Sequence, residues 1–346
     1  MMHNSVRVGV AGLGFGSRVH VPGLQSLPHV SVVAIAGTNK DRAQAVADKC
    51  GIGVGCGSLE DFFSQNLDAV TLALPPKQNE IAARMALERG LPVLAEKPLA
   101  SSAGAAQQLA ELAKGKVAMV DFHFAELAPF QKLKELIETR KYGAVRHVQI
   151  AWLVESLAQM NKKWSWKTDM EQCGGVNSML GSHLFYLIEW LLGSIQKMAA
   201  TMSSSATAAF APPGSHPAED GLFLLLDLPD GVKLAATISN ASPCGIGHRW
   251  EVAFDGGTAI LHNPRLDYMT NFTLTMRTQK GEEILSTNEP LSSEDNRSPF
   301  HILAQRFIDA VRSHSLVSPD FAAGARVQSL MEASYISNKQ GKTIEV

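Results

Sequence analysis

The chain has 346 residues, 45% of them hydrophobic, and a formal net charge of −2 at pH 7. That balance favours neither nucleic acid nor an anionic membrane surface as partner, no apolar run has the length of a spanning helix, and the N-terminus lacks a signal-peptide pattern. Cys50, Cys56, Cys173 and Cys244 show neither zinc spacing nor a C-x-x-C pair, so the expectation is a reduced, cytoplasmic protein of two domains that needs no metal.

Arg7–Ala11 reads as a short apolar strand that runs into Gly12-Leu13-Gly14-Phe15-Gly16-Ser17 and then a helix. Glycines there let backbone approach a pyrophosphate, and the helix N-terminus meets its charge with free N–H groups. The loop departs from the strict dinucleotide fingerprint: Ser17 stands at the usual third glycine and Gly16 lies one position early. A second strand, Val30–Ala36, ends in Gly37-Thr38-Asn39-Lys40-Asp41-Arg42. An acid at that end would hydrogen-bond the ribose hydroxyls of NAD. Gly37 holds the position instead, Thr38 and Asn39 can donate to a 2′-phosphate, and Lys40 or Arg42 adds charge or is merely solvated. The cofactor expected is NAD or NADP, with NADP favoured. Asp41 is expected to open the following helix, to Cys50, where an acid suits the dipole.

Ser58-Leu59-Glu60-Asp61 has the form of a capped helix start. The strand Ala69–Leu74 stops at Pro75-Pro76, which makes either a rigid wall for the nicotinamide half of the cofactor or a strand stop alone. A helix Asn79–Arg89 ends at Gly90, a strand Val93–Ala95 runs into Glu96-Lys97-Pro98, a helix Ser102–Lys114 ends at Gly115, and Val117–Val120 closes the series. Short, almost wholly apolar strands alternating with helices predict a doubly wound parallel sheet covered on both faces. Ligands bind at the C-terminal edge of such a sheet. Lys97, beside an acid and fixed by a proline, is therefore placed to touch a substrate hydroxyl.

From about residue 124 the rhythm changes. Pro129–Arg140 reads as an amphipathic helix that stops near Gly143, and Val145–Val154 as a strand. Trp164, Trp166 and Lys167 follow. Aromatic walls stack on sugar faces and a lysine meets phosphate or carboxylate, but the same residues also suit core packing. Cys173-Gly174-Gly175 opens a long apolar helix, Gly175–Leu192, that carries His183. This histidine is either a core residue or one that exchanges a proton near neutral pH, and the neighbouring glycines favour a site role. Lys197–Ile284 is strand-like, with turns at Pro229-Asp230-Gly231 and Asp255-Gly256-Gly257, which predicts a mostly antiparallel sheet; Ser203–Pro217 reads as a loose loop. Phe300–Ser313 and Phe321–Lys339 read as closing helices. The expected division is 1–123 and 124–346, with the closing helices able to pack back on the first domain.

The chain resembles the Gfo/Idh/MocA (glucose–fructose oxidoreductase / inositol dehydrogenase) family over nearly its whole length. The carriers are Gly12-Leu13-Gly14-Phe15-Gly16, Leu67-Asp68-Ala69-Val70 through Pro75-Pro76, Ala95-Glu96-Lys97-Pro98-Leu99, Gly174-Gly175 with Gly181-Ser182-His183, and Pro319–Gly324. The resemblance implies a Rossmann domain followed by an α+β domain with a large, open, mostly antiparallel sheet. It also implies a hydride transfer between NAD or NADP and a sugar, cyclitol or nucleotide-sugar, and a homodimer or homotetramer. By resemblance, Lys97 is the catalytic lysine and His183 the acid/base. Gly12, Gly14, Phe15, Gly16, Ser17, Gly37, Thr38, Asn39, Leu74, Pro75, Pro76, Asn79, Glu96, Lys97 and Pro98 would face the cofactor. Trp164, Trp166, Lys167, Met179, His183 and Tyr186 would face the substrate with Lys97.

Three positions depart from the family pattern. Met179 stands where an aspartate is usual, Tyr186 where a second acid is usual, and Asn79 where a histidine follows the double proline. Spacing i, i+4, i+7 puts 179, 183 and 186 on one helix face. Without the acids a positive charge on His183 loses support, which lowers its expected pKa, and Tyr186 is left to supply a hydroxyl. Two alternatives stay open: an NAD-dependent glycosidase of the same fold, and a regulatory protein that senses nucleotide and sugar without turnover.

Overall fold

A computed structural model describes residues 5–264, 270–288 and 299–346. They fall into two compact units, the first drawn from Met1–His123 and Leu291–Gln328, the second from Phe124–Pro290 and Ser329–Val346.

The first unit is built on six strands: β1 (Val6–Ala11), β2 (Val30–Ala36), β3 (Val54–Cys56), β4 (Ala69–Leu72), β5 (Val93–Ala95) and β6 (Ala118–Val120). All pair in parallel, in the order β3-β2-β1-β4-β5-β6. Between them run α1 (Val21–Gln25), α2 (Lys40–Lys49), α3 (Leu59–Phe63), α4 (Pro76–Glu88) and α5 (Ala103–Leu112). The chain winds outward from β1 to β3 and then returns to β4 on the other side. The loops after β1 and β4 therefore diverge and leave a crevice at the C-terminal edge, where ligands of such sheets bind.

The second unit contains α6 (Ala128–Glu138), β7 (Val145–Leu153), α7 (Leu157–Met160), α8 (Ser182–Leu192), β8 (Lys197–Ser203), α9 (Ser205–Ala208), β9 (Gly221–Asp227), β10 (Lys233–Ser239), β11 (Gly247–Phe254), β12 (Gly257–Asn263), β13 (Phe272–Thr278) and β14 (Gly281–Asn288). Then α10 (Pro299–Ser313) adds Phe300, Leu303 and Phe307 to the core of the first unit, beside Val8, Val10, Leu24 and Ile35. Burying each such side chain stabilises by about 1.5–3 kcal/mol. α11 (Phe321–Gln340) leads back to the second unit, and β15 (Ile344–Glu345) ends the chain. The nine strands there lie in the order β14-β13-β12-β11-β7-β10-β9-β8-β15, antiparallel except for β7 beside β10. One face is buried and the other open: Leu222, Leu224 and Leu226 of β9 are buried, while Phe223 and Leu225 face outward.

Several elements differ from the sequence expectation. β3 has no counterpart there, because Val54-Gly55-Cys56 lies in a glycine-rich stretch without the continuous apolar run that marks β5. β4 stops at Leu72, and α4 begins at Pro76, since proline at a helix start forfeits only a donor that would be unpaired anyway. α2 starts at Lys40 because Asn39 Oδ1 caps it by accepting from the Arg42 N–H at 2.8 Å, so Asp41 lies inside the helix. The run Gly175–Leu192 is a π-turn, Asn177–Gly181, followed by α8. The segment expected as a loose loop, Ser203–Pro217, contains α9. No helix among the described residues is long and apolar enough to cross a membrane.

Candidate functional site

Gly12, at φ +123°, lies so close to the loop after β4 that a Cβ would overlap the Ala73 carbonyl, so no other residue fits without a backbone shift. Gly14 is exposed, with open space where a Cβ would stand. Gly16 opens the π-turn Gly16–His20, and a Cβ there would stand 3.1 Å from Val10 of β1. Gly16 thus supplies the close helix–strand approach of the usual third glycine. Ser17 instead braces the loop, its Oγ donating to the carbonyls of Leu13 at 2.8 Å and Gly14 at 3.2 Å. An open glycine between two close-packed ones fits the approach of a dinucleotide pyrophosphate.

At the end of β2, a Cβ on Gly37 would overlap the Leu13 side chain. Thr38 and Asn39 are exposed, with Asn39 Oδ1 engaged in capping α2. Lys40 pairs with Asp61 at 3.0 Å, while Arg42 stands exposed in the first turn of α2.

Leu74 and Pro75 are half-buried and Pro76 buried after β4. Asn79, in α4, is buried and donates from Nδ2 to the Glu96 carbonyl at 3.0 Å, which ties α4 to the segment after β5. Glu96, Lys97 and Pro98 follow β5 directly, and the Lys97–Pro98 peptide is cis. The Lys97 N–H donates to Glu96 Oε2 at 3.3 Å. The first unit therefore collects its expected residues along one edge of its sheet: the glycine loop, the end of β2, the prolines, Asn79 and Lys97.

Sequence reasoning missed the groups beneath Lys97. His20, fully buried at the end of the π-turn, places Nε2 3.2 Å from Glu96 Oε1 and 3.9 Å from Asp121 Oδ2. Its ring stacks on Phe300 at 4.2 Å and meets Phe15 of the glycine loop edge-on at 5.7 Å. Burial pulls the His20 pKa down to about 4, so the ring is neutral at pH 7. Asp121 follows β6 and is also fully buried, with Oδ1 2.8 Å from His123 Nδ1. Burial and the Asp121 charge push the Glu96 carboxyl well above the usual carboxylate range. Burial also acts to raise Asp121, but contacts with His123, Glu96 and His20 outweigh it and hold the group low. No tight cluster of ligating side chains is visible in the sequence, yet the fold brings His20, Glu96 and Asp121 within 4.8 Å of one another. Their sequence separation hides the cluster. The available signal is an acid directly after an apolar strand, at the edge that carries Lys97.

In the second unit, Trp164 and Trp166 are half-buried and Lys167 is exposed, its Nζ 5.7 Å from the Trp166 ring. The Gly175 N–H donates to the Lys167 carbonyl at 2.9 Å, so this loop lies against the Gly174–Gly175 pair. His183 is 4% exposed and meets Phe124 edge-on at 4.8 Å. Met179 lies in the π-turn, across which α-helical spacing does not hold, so the shared-face argument survives only for His183 and Tyr186 of α8. The start of this helical run is held from outside. Glu219 accepts from the Asn177 N–H at 3.0 Å and from the Tyr335 hydroxyl at 2.9 Å, and a Cβ on Gly175 would overlap its carboxylate. Asn177 Nδ2 reaches the Met331 carbonyl at 3.2 Å and Ser334 Oγ at 2.9 Å, both in α11.

Comparison with known proteins agrees with this architecture. Residues 6–124 match the model of an oxidoreductase family with an NAD-binding Rossmann fold, and residues 130–260 match the GFO/IDH/MocA C-terminal domain. An uncharacterized oxidoreductase of Synechocystis sp. is 30% identical over 78% of this chain and 75% of its own. The D-glucoside 3-dehydrogenase of Escherichia coli is 25% identical over 100% of this chain and 99% of its own. A levoglucosan dehydrogenase solved with NADH and levoglucosan has a TM-score of 0.85 at 19% identity, over 99% of each chain, a likeness of fold. The two family models match in chain order over both units, and the chain belongs to the Gfo/Idh/MocA family of oxidoreductases.

Proposed function

We propose that this protein is an NADP-preferring dehydrogenase or reductase that moves a hydride between nicotinamide and a CH–OH or keto carbon of a sugar or cyclitol. The observation that carries the reading is Lys97 at the C-terminal end of β5, on the same sheet edge as the glycine loop after β1. The relatives named for D-glucosides and levoglucosan favour a polyhydroxylated ring as substrate. A nicotinamide cofactor, when bound, supplies the hydride acceptor or donor. Gly12, Gly14 and Gly16 bring backbone to its pyrophosphate, with Phe15 and Ser17 shaping the loop. Leu74, Pro75, Pro76 and Asn79 wall the nicotinamide side, and Glu96 and Pro98 fix Lys97.

NADP preference rests on the end of β2. Leu13 fills the space an acidic side chain would need at 37, and Thr38, Asn39 and Arg42 offer donors to a 2′-phosphate. Lys97 takes the hydroxyl proton as hydride leaves the same carbon, or returns it in reduction; His183 is the second acid/base, with Tyr186 one turn on along α8, and Met179, in the π-turn before them, is kept as a substrate-facing residue by resemblance alone. Trp164, Trp166 and Lys167 serve the ring and its substituents. Cysteines with neither zinc spacing nor a C-x-x-C pair fit a cytoplasmic protein, and the open sheet face fits a homo-oligomer.

Titration with NADPH and NADH, followed by nicotinamide fluorescence and melting temperature, tests the cofactor assignment: tighter NADPH binding supports it and tighter NADH binding reverses it. On a sugar turned over by the wild type, Lys97→Ala should lower kcat/KM by about 10²–10⁴-fold. Unchanged turnover would remove Lys97 from the chemistry.

A further inference from the structure

Glu96 and Asp121 come from the ends of neighbouring strands, β5 and β6. One carboxylate oxygen of each, with a ring nitrogen of His20, lies within 4.8 Å of the others, so the two acceptors stand close enough for a proton between them. Asp121 Oδ2 is buried and no N–H or O–H donor among the described residues reaches it, so a proton shared with Glu96 is also what satisfies it. The charged and titratable groups around the pair are Lys97 beside Glu96, His20 from the π-turn, and His123 on Asp121 Oδ1. Asn79 of α4 holds the Glu96 carbonyl, and Phe300 of α10 closes the far side of His20. The Asp121 side chain is fully buried and that of Glu96 only 12% exposed, and two carboxylates this close in such surroundings do not both ionise, because their repulsion adds to the cost of leaving water.

We propose that Glu96 and Asp121 share one buried proton, and that the pair holds a single fixed negative charge against Lys97 which sets the pH at which the lysine gives up its own proton. This deepens the proposed function and rests on the role given there to Lys97. Glu96 and Asp121 are positioning residues: they act through the lysine. His20 links the pair to the glycine loop through its contact with Phe15, so the loop and the charge beside Lys97 belong to one packed cluster.

A shared proton has a signature that a merely structural role lacks. Removing either carboxylate frees the other to ionise, so the net charge stays the same. Glu96→Gln and Asp121→Asn should each leave the pH midpoint of Lys97 labelling by an amine-specific reagent close to that of the wild type. The double variant alone loses the charge, and its midpoint should fall by about one pH unit. Two independent carboxylates would give two separate shifts that add, an outcome that overturns the proposal.

Infrared spectroscopy provides a reading on the otherwise unaltered cluster, which keeps the proposal testable if a cluster variant fails to fold. In a Glu219→Gln background, which removes another protonated carboxyl, a protonated-carboxyl band at pH 7 is expected, and its absence overturns the shared proton. So does a stoichiometric divalent ion found by elemental analysis of the purified protein, since the same three side chains would then be ligands. Neither labelling nor infrared depends on turnover. Full activity in Lys97→Ala would sink the catalytic reading and leave the shared proton standing, so the two failures are distinct.

Discussion

At the end of β2, Gly37 leaves a space that Leu13 fills. The sequence places a glycine where an NAD-binding acid is usual, and that much is visible without a structure; the reason, a leucine from the glycine loop, is not. Restoring an acid needs both changes. In Leu13→Ala/Gly37→Asp the carboxylate has room, accepts from ribose hydroxyls and repels a 2′-phosphate. The ratio of NADH to NADPH affinity should rise at least tenfold over wild type, about 1.4 kcal/mol. Gly37→Asp alone should instead weaken both cofactors, because the displaced leucine disturbs the loop. An unchanged ratio in the double variant would show that the end of β2 does not read the 2′ position. Lys97 is legible for a related reason: its motif is local and continuous. His20 and Asp121 are not, because only the sheet brings residues 20, 96 and 121 together.

Among the elements, strands with a continuous apolar pattern are read closely: β2 and β5 have the expected bounds. The helical run that carries His183 is where pattern reading fails, since an apolar stretch has the same look as a π-turn or an α-helix. Its start depends on Glu219, a residue far along the chain. Burial pushes the Glu219 carboxyl up from 4.5 to about 7, against the opposing hydrogen bonds from Asn177 and Tyr335. Below pH 4.5 the folded and unfolded chains both hold this proton. Between 4.5 and about 7 the folded chain keeps it and the unfolded chain loses it, so this group's contribution to stability falls as pH rises through that window. The loss is roughly 3 kcal/mol and is complete above the folded value. Glu219→Gln keeps an acceptor for Asn177 and Tyr335 but cannot ionise. Denaturant titrations should show a smaller decline in its stability from pH 4.5 to pH 7.5 than in the wild type. Parallel pH curves for the two proteins would mean that Glu219 is ionised throughout.

On the scale of the whole molecule, the alternation of strands and helices declares the first sheet, and the run of strands after Lys197 declares the second. The return of α10 to the first unit is a long-range event for which local pattern carries no signal. The strand order, with β7 parallel to β10 in an otherwise antiparallel sheet, is equally invisible to local pattern. The open face of that sheet has a consequence for assembly. On β9, Phe223 is 47% and Leu225 64% exposed, and Ala235 and Thr237 of β10 stand opposite them in register. Contiguous apolar surface of this kind marks an interaction site on a soluble protein. A twofold axis sets the same patch of two copies against each other, so a second copy is the occupant that needs no other partner. Light scattering should therefore find a dimer or tetramer at micromolar concentration, and Leu225→Arg should dissociate it by placing a charge on each side of the interface. Because the side chain is exposed in the single chain, the substitution should shift monomer stability by no more than about 0.5 kcal/mol. An assembly that persists in Leu225→Arg would put the interface elsewhere, and a wild type that is monomeric would leave this face without the partner proposed for it.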